Sequence, residues 1–503
     1  MRSPSLLLPV LLAVACAPLP PAETSVAGLT LPARDPTPRP LEDDDPREKP
    51  PETEASGAAA LPEIRRERLD SGVELVTAAA SGPRVEVRLV LRGAGSDADG
   101  SAPGLAALAL RLCLEGGTLR LSGKDFSARL AALGVELSWA LRRDAAVISA
   151  SMPRGSARDG LLLLLQALRE PRLDAIELAR VRRLERGAVP SLSSPERWLL
   201  EVERQELLQG VGGGSIEATL DRVGAAELRA FARDHLAPGV LSVVLVGEPD
   251  SALKSAIEQA TSGWKAAATP ATARALAPRR ERHRILLVDL PQSTVSGLWL
   301  LAPGPSAASE DWPTFLLLAE LLGGAPTARL PLALQGSPPL AAGPRIEILE
   351  RGAHAWLWLR AAADPARAVG AVGAILDTIR KASEPPGSTE FQGAQRRALA
   401  RLRGLVAAPR SLADELARQA ALGLDEGATA RRAERLAKVE AAKLPEAARA
   451  HLGGGLLVLV AGNAAQLASG LQRHGEVAVI DPTRGFEPTR VLPEAKGDPE
   501  GGP

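Results

Sequence analysis

Two stretches decide how the sequence is read: HLAPGVLSVVLVGEPDSALKSAIEQ at 235–259 and HLGGGLLVLVAGNAAQLASGLQRHG at 451–475. Each starts at a helix end, turns on glycine, runs through a strand of Leu and Val, meets a second glycine and enters another helix. Their starts, His235 and His451, lie close to half the folded chain apart. A repeat with so long a period is a whole domain rather than one unit of a solenoid.

Strand and helix signals alternate around both copies. In the first half, VELVTAA (73–79) and RVEVRLVLRGAG (84–95) read as strands ending toward glycine. GLAALALRLCLEGGT (104–118) reads as an apolar helix with a glycine stop, and SGKDFSARLAALG (122–134) as a short amphipathic helix. VELSWALRRDAAVISASMP (135–153) reads as two strands turning near Arg143 and Asp144, with helices predicted over 156–171, 174–189, 196–209 and 225–235. The second half opens on RILLVDL (284–290) and STVSGLWLLAPGP (293–305). The expected class is α/β (α+β). Two homologous domains, 62–265 and 284–484, each place a mainly antiparallel sheet against helices and are joined by a linker over 266–283.

The ends read differently. Residues 1–16, MRSPSLLLPVLLAVAC, have the length and polarity of a secretory leader and are too short to span a bilayer. Small residues before Cys16 resemble a bacterial lipobox, and lipidation of Cys16 is the expectation. The alternative is an ordinary cleavage site at Ala13-Val14-Ala15. Residues 17–61 are dense in Pro and charge, which predicts a disordered acidic tether, and 485–503 is expected to be a disordered tail. The implied location is the periplasm or outer membrane of a bacterium, with a membrane partner through the anchor.

Composition excludes some functions. The 503 residues carry 60 Lys plus Arg and 60 Asp plus Glu, so the chain lacks the basic field of a non-specific nucleic-acid binder. Aromatic residues make up 2% and tyrosine is absent, so stacking platforms for bases are scarce. With only two cysteines no disulfide framework forms, and Cys113 reads as a small buried hydrophobe.

In the order and spacing of RLDSGVELV, GLAALALRLCLEGGT, ARLAALGVELSWALRRDAAVISASM, LRAFARDHLAPGVLSVVLVGEPD, SEDWPTFLLLAELLGGAPTARLPLAL and LPEAARAHLGGGLLVLVAG, the sequence resembles the insulinase/pitrilysin family of zinc peptidases, which includes the mitochondrial processing peptidases. The family signature, H-x-x-E-H, lies on the helix opening with Gly-Leu-Ala. Residues at i and i+4 share a helical face, so both imidazoles reach one Zn²⁺ beside a Glu acting as base. Set on Gly104-Leu105-Ala106, the signature falls on Ala107, Leu110 and Arg111, and none of the three can do this work. The third ligand, a Glu on a later helix, would fall near Gly187 or Ala188; Glu185 is close but is placed on another part of the helix face. The family's substrate-holding Arg and Tyr follow Ala328-Arg329-Leu330 and become Gln335 and Ala342.

The resemblance therefore implies a pseudo-peptidase with no metal or cofactor of its own. Zinc is expected only in a homologous partner subunit that would close a clamshell chamber with this one. The alternatives are a stand-alone scaffold, as a homodimer, that holds a peptide or protein ligand, and, last, an active peptidase with a relocated site. The five histidines, His235, His283, His354, His451 and His474, are scattered, and His235 and His451 take matching helix ends, where a cation meets the last carbonyls. GVGGGS (210–215) lacks the Lys-Ser/Thr of a phosphate loop and reads as a connection. RVRRLER (180–186) and RRALARLR (396–403) read as solvated basic faces, and Trp356 and Trp358 as core.

Overall fold

A computed structural model of the chain describes residues 63–192, 194–207, 215–248, 250–264, 280–351, 354–484 and 486–495. The expected leader with Cys16, the tether, most of the glycine run and of the linker, and the last residues lie outside these. In the first half, β1 (Ile64–Arg68), β2 (Glu74–Ala79) and β3 (Arg84–Arg92) lead to α1 (Leu105–Glu115) and α2 (Gly123–Ala132). Then come β4 (Glu136–Leu141), β5 (Ala145–Pro153), α3 (Ala157–Arg169), α4 (Ala175–Ala188), α5 (Pro195–Val202), α6 (Ile216–Arg222), α7 (Ala225–His235), β6 (Leu241–Gly247) and α8 (Ser251–Thr261).

The second half runs β7 (Arg284–Asp289), β8 (Ser296–Gly304), α9 (Trp312–Gly323), α10 (Arg329–Leu334), β9 (Ala342–Arg351) and β10 (His354–Ala363). It continues through α11 (Pro365–Lys381), α12 (Ser388–Gly404), α13 (Pro409–Leu422), α14 (Ala428–Ala437) and α15 (Lys443–Leu452). It closes with β11 (Leu457–Gly462), α16 (Ala464–Leu471), β12 (Glu476–Ile480) and β13 (Pro488–Leu492).

Two sheets form, in the orders β1-β2-β6-β3-β5-β4 and β13-β12-β7-β11-β8-β10-β9. Without their outer strands both read first, fifth, second, fourth, third within their own half. The halves thus repeat one topology, as the two quoted stretches predict. Only β2–β6, β7–β11 and β7–β12 are parallel; the other ladders are antiparallel. The two-domain α+β class holds.

One face of each sheet packs on helices of its own half. Leu75, Val87, Leu89 and Leu91 of the first sheet meet Leu108, Leu112, Leu161 and Leu164, and Leu298, Leu300, Leu357 and Leu359 of the second meet Phe315, Leu318, Ile375 and Leu402. The opposite faces are covered by exchange. From the second half, α13 lays Leu412, Ala413 and Leu416 on Val76, Ala78, Val244 and Val246. From the first half, α5 and the π-helical turn after it lay Trp198, Val202 and Leu207 on Leu286, Leu301, Trp356, Leu459 and Ile480.

The two exchanged helices are themselves a repeat. Both begin on a proline, Pro195 and Pro409. In α13, Glu415 accepts from Arg418 at 2.7 Å and Gln419 at 3.1 Å. In the first half, Glu201 accepts from Arg204 at 2.9 Å and Gln205 at 3.3 Å. Aligning the prolines aligns these residues as well.

The tail expected to be disordered is in part a strand: β13 pairs antiparallel with β12. The charge and proline of that stretch gave no alternation to read, and an edge strand needs only one neighbour. Leu416 is fully buried at the exchange. Leu416→Ala is expected to lower stability by about 2–5 kcal/mol. Because the contact joins the halves, denaturant unfolding followed by tryptophan fluorescence and by far-UV circular dichroism should shift together.

Candidate functional site

Helix α1 is set by its ends. The Asp99 carboxylate accepts from the backbone N–H of Gly104 and of Ala106, both at 2.8 Å, which satisfies the free donors at the helix start. Gly104 has φ +89°, and a Cβ there would lie 2.8 Å from the Ile216 side chain. At the other end Gly117, φ +86°, turns the chain where a Cβ would meet the carbonyl oxygen of Leu121.

Between these ends the helix has a core side and a half-open side. Leu110 is 1% exposed and packs in the core, as do Leu108, Leu112 and Cys113. Burial pushes the Cys113 thiol up to about 12, so it is an inert apolar group. Ala107, Arg111 and Glu115 share the half-open face. The Arg111 Nε–H donates to Glu185 at 2.5 Å and its Nη1–H to Glu115 at 2.8 Å. Its guanidinium carbon sits 5.1 Å from the centre of the Trp139 ring on β4. The arrangement ties α1 to α4 and β4.

Glu185 corrects the sequence reading. Leu178, Val181 and Glu185 form the buried stripe of α4, at i, i+3 and i+7, and that stripe faces α1. Gly187 and Ala188, which residue counting favoured, are exposed. The carboxylate that α4 offers to α1 is Glu185, 7% exposed, and it is consumed by Arg111. A guanidinium carries a permanent charge and five donors. It occupies the carboxylate that a metal would need and opposes a second cation there. Leu110 and Ala107 offer no base and no ligand. Beside the pair lies a cleft of about 640 Å³, walled by Glu115, Lys124, Leu137, Trp139 and Arg180.

The second-half positions are not brought to this cleft's wall. Gln335 caps the end of α10 and is exposed. Ala342 starts β9 and lines a different cavity, with Trp299, Trp356 and Trp358. Trp356 is core at 4% exposure, but Trp358 is only half-buried. On α9, Glu320 is 2% exposed beside Arg401 at 3.0 Å, and burial, outweighing the two arginines near it, raises its pKa.

The histidines do not converge on a metal. Among the described residues no three His, Cys, Asp or Glu side chains come together as a ligand set. His235 lies against Phe231 at 4.6 Å between ring centres and His451 against Phe315 at 5.3 Å, so the matching helix ends use ring contacts. His283 and His474, distant in sequence, line one cavity. The Nδ1 of His283 accepts from the Leu456 N–H at 3.0 Å, and burial lowers the pKa of both rings. The basic stretches are largely used internally: Arg180 donates to Glu177, Arg182 to the Val223 carbonyl, and Arg397 and Arg401 lie against Glu320.

Residues 222–398 match the family model described as the peptidase M16 inactive domain. No curated protein matches the chain. Among solved structures, a peptidase M16 inactive domain from Pseudomonas fluorescens aligns with TM-score 0.70 and 20% identity over 80% of this chain and 98% of that one. A protease from Helicobacter pylori aligns with TM-score 0.70 and 15% identity over 80% of this chain and all of that one. These findings support a degenerate member of the insulinase family.

At such identities the structural likeness is one of fold, and the inactive-domain match supports a non-catalytic insulinase-family protein. The insulinase signature can be rebuilt on this helix, because position 111 already reaches Glu185. The triple substitution A107H/L110E/R111H is expected to bind zinc close to one ion per chain. Metal analysis after dialysis checks this, and the same triple with E185Q should lose most of the bound zinc. A second expectation concerns pH. His283 and His474 fold with pKa values below the ordinary 6.5, so they are held neutral. Their contribution is full above about 6.5 and is lost as pH falls through the folded values. Thermal midpoints should drop from pH 7 to pH 5, and H474Q should flatten that slope.

Proposed function

We propose that this protein is the non-catalytic subunit of a two-protein zinc peptidase in the bacterial envelope, held to a membrane through Cys16. The observation that carries the proposal is the Arg111–Glu185 pair, which fills the ligand face of α1 while the helix ends and packing of that site stay intact. A chain that kept the fold without the ligands fits a role as chamber wall and substrate holder beside a homologous zinc-bearing subunit.

The test is a pull-down of the full chain from native membranes. The expected result is a co-purifying relative with H-x-x-E-H, peptide cleavage by the pair that a chelator abolishes, and no cleavage by this chain alone. Chelator-sensitive cleavage by the isolated chain would overturn the proposal, and so would purification without any such partner. The second reading, a stand-alone peptide-holding scaffold, is favoured by the tryptophan-lined cavity. It predicts that the isolated chain binds unfolded peptide and leaves it whole.

A further inference from the structure

The internal repeat gives each place on one sheet a counterpart on the other. Gly247 and Gly462 end β6 and β11, and from them the ladders match Arg88 with Trp299, Val90 with Leu301, Val147 with Trp358 and Ala145 with Trp356. Aligning Pro195 with Pro409 matches Leu200 with Asp414, Glu203 with Ala417, Glu206 with Ala420 and Leu207 with Ala421.

On the first sheet this place is closed. The small residues Ala145 and Val147, with Val90, let α13 come down on them through Ala417, Ala420 and Ala421. Arg88 is fully buried beneath the helix and donates to Asp414 at 2.7 Å. On the second sheet the covering helix changes form. At Val202 α5 passes into a π-helical turn, in which Leu207 packs on the sheet and Glu206 binds Arg280 and, on β7, Arg284. What remains is a half-open cavity of about 710 Å³, walled by Trp299, Trp356, Trp358, Leu199, Leu200 and Leu349. The volume falls in the usual range of ligand sites, and so does the aromatic lining. The Nε1–H groups of Trp356 and Trp358 are buried with no acceptor among the described residues. Such donors are costly to leave unpaired.

We infer that this cavity is a docking site for an apolar polypeptide segment, one that seats bulky aliphatic or aromatic side chains between α5 and β10. The inference rests on the reading that the chain holds peptide, and names where and what it holds. Two observations select a polypeptide. The matching face of the same molecule is already covered by one, α13. The cavity also runs to Ala342 and Gly343 of β9, the last strand of the sheet, whose outer edge pairs with no other strand among the described residues.

The test uses the purified full chain, a fluorescein-labelled peptide of Leu, Phe and Ala, and a Ser/Gly/Glu peptide of the same length. Anisotropy should show binding of the apolar peptide alone, with a change in tryptophan emission. Two variants act on the cavity in opposite ways: Trp358→Val removes a wall and installs the residue found at the matching place, and Ala362→Trp fills the space. Each is expected to weaken binding about tenfold or more, the worth of one bulky apolar side chain. Trp358→Val should also reduce the emission change. Apolar peptide bound equally by both variants and the natural chain would place it elsewhere, overturning this inference and sparing the peptide-holding reading. Binding of neither peptide would defeat that reading itself. Uptake of palmitate in the cavity with no peptide binding would replace the polypeptide with a lipid and overturn the inference.

Discussion

A β-sheet with two apolar faces needs cover on both, and in this protein neither half covers itself. Each sheet is backed on one side by its own helices and on the other by a helix sent across from the opposite half. Val76, Val244 and Val246 are fully buried because α13 reaches them, and Leu459 and Ile480 because α5 does. Remove either helix and a row of Val, Leu and Ile meets water at about 25 cal/mol per Å². The exchange therefore makes the halves one cooperative body, and the described residues form one compact unit despite two sheets and two cores. Every other feature sits in a frame that this exchange holds.

Charge fixes how the exchanged helix lies. Arg88 stands in the middle of an apolar strand, and its guanidinium is answered by Glu86 at 3.1 Å and by Asp414 of α13. One turn along the same helix, Arg418 meets Glu415 at 2.6 Å and Glu350 of β9 at 2.5 Å, and Arg432 meets Glu350 at 3.1 Å. Burying ions gains little net stability. A helix that slid one turn along the sheet would strand these charges, whereas its small apolar contacts, Ala413, Ala417 and Ala420, would tolerate the slip. The apolar contacts supply the adhesion and the ion pairs select the register. The same division explains why α5 and α13 keep the Glu-Arg-Gln set while their apolar residues differ.

The repeat made most of this legible from sequence. Leu and Val runs followed by glycine locate β6 and β11, and the glycines at 116 and 117 locate the end of α1, because those signals are local. What was not legible is what depends on which way a helix faces. Counting along the chain led to Gly187 and Ala188, but a helix turns 100° per residue, and two positions are enough to move a carboxylate off the face that matters. Glu185 could have been found by asking which acidic residue continues the stripe of Leu178 and Val181. The cavity could not be found that way. Trp356 and Trp358 look like core residues, and only packing against a helix from the other half decides that Trp356 is covered and Trp358 half-buried. The edge strand β13 was lost in a polar tail for a similar reason: its partner, not its own pattern, makes it a strand.

A metal held by two residues of one helix and one of another is also a cross-link, and losing it should loosen α1 from α4. Here a different cross-link joins the two helices. Arg111 spans to Glu185 on α4, braces on Glu115 one turn along its own helix and lies over Trp139 on β4, so three elements stay joined without an ion. Leu110 completes the change, since a carboxylate at that fully packed position would have been a buried charge with no metal or water to work on. Three substitutions that look like decay when read against a motif form a consistent set when read against the packing. One charge is neutralised, one side chain joins the core, and the residue at 107 is a small, half-buried Ala. The fold keeps an accessible groove beside α1, and Glu115 and Trp139, which hold Arg111, form part of its wall.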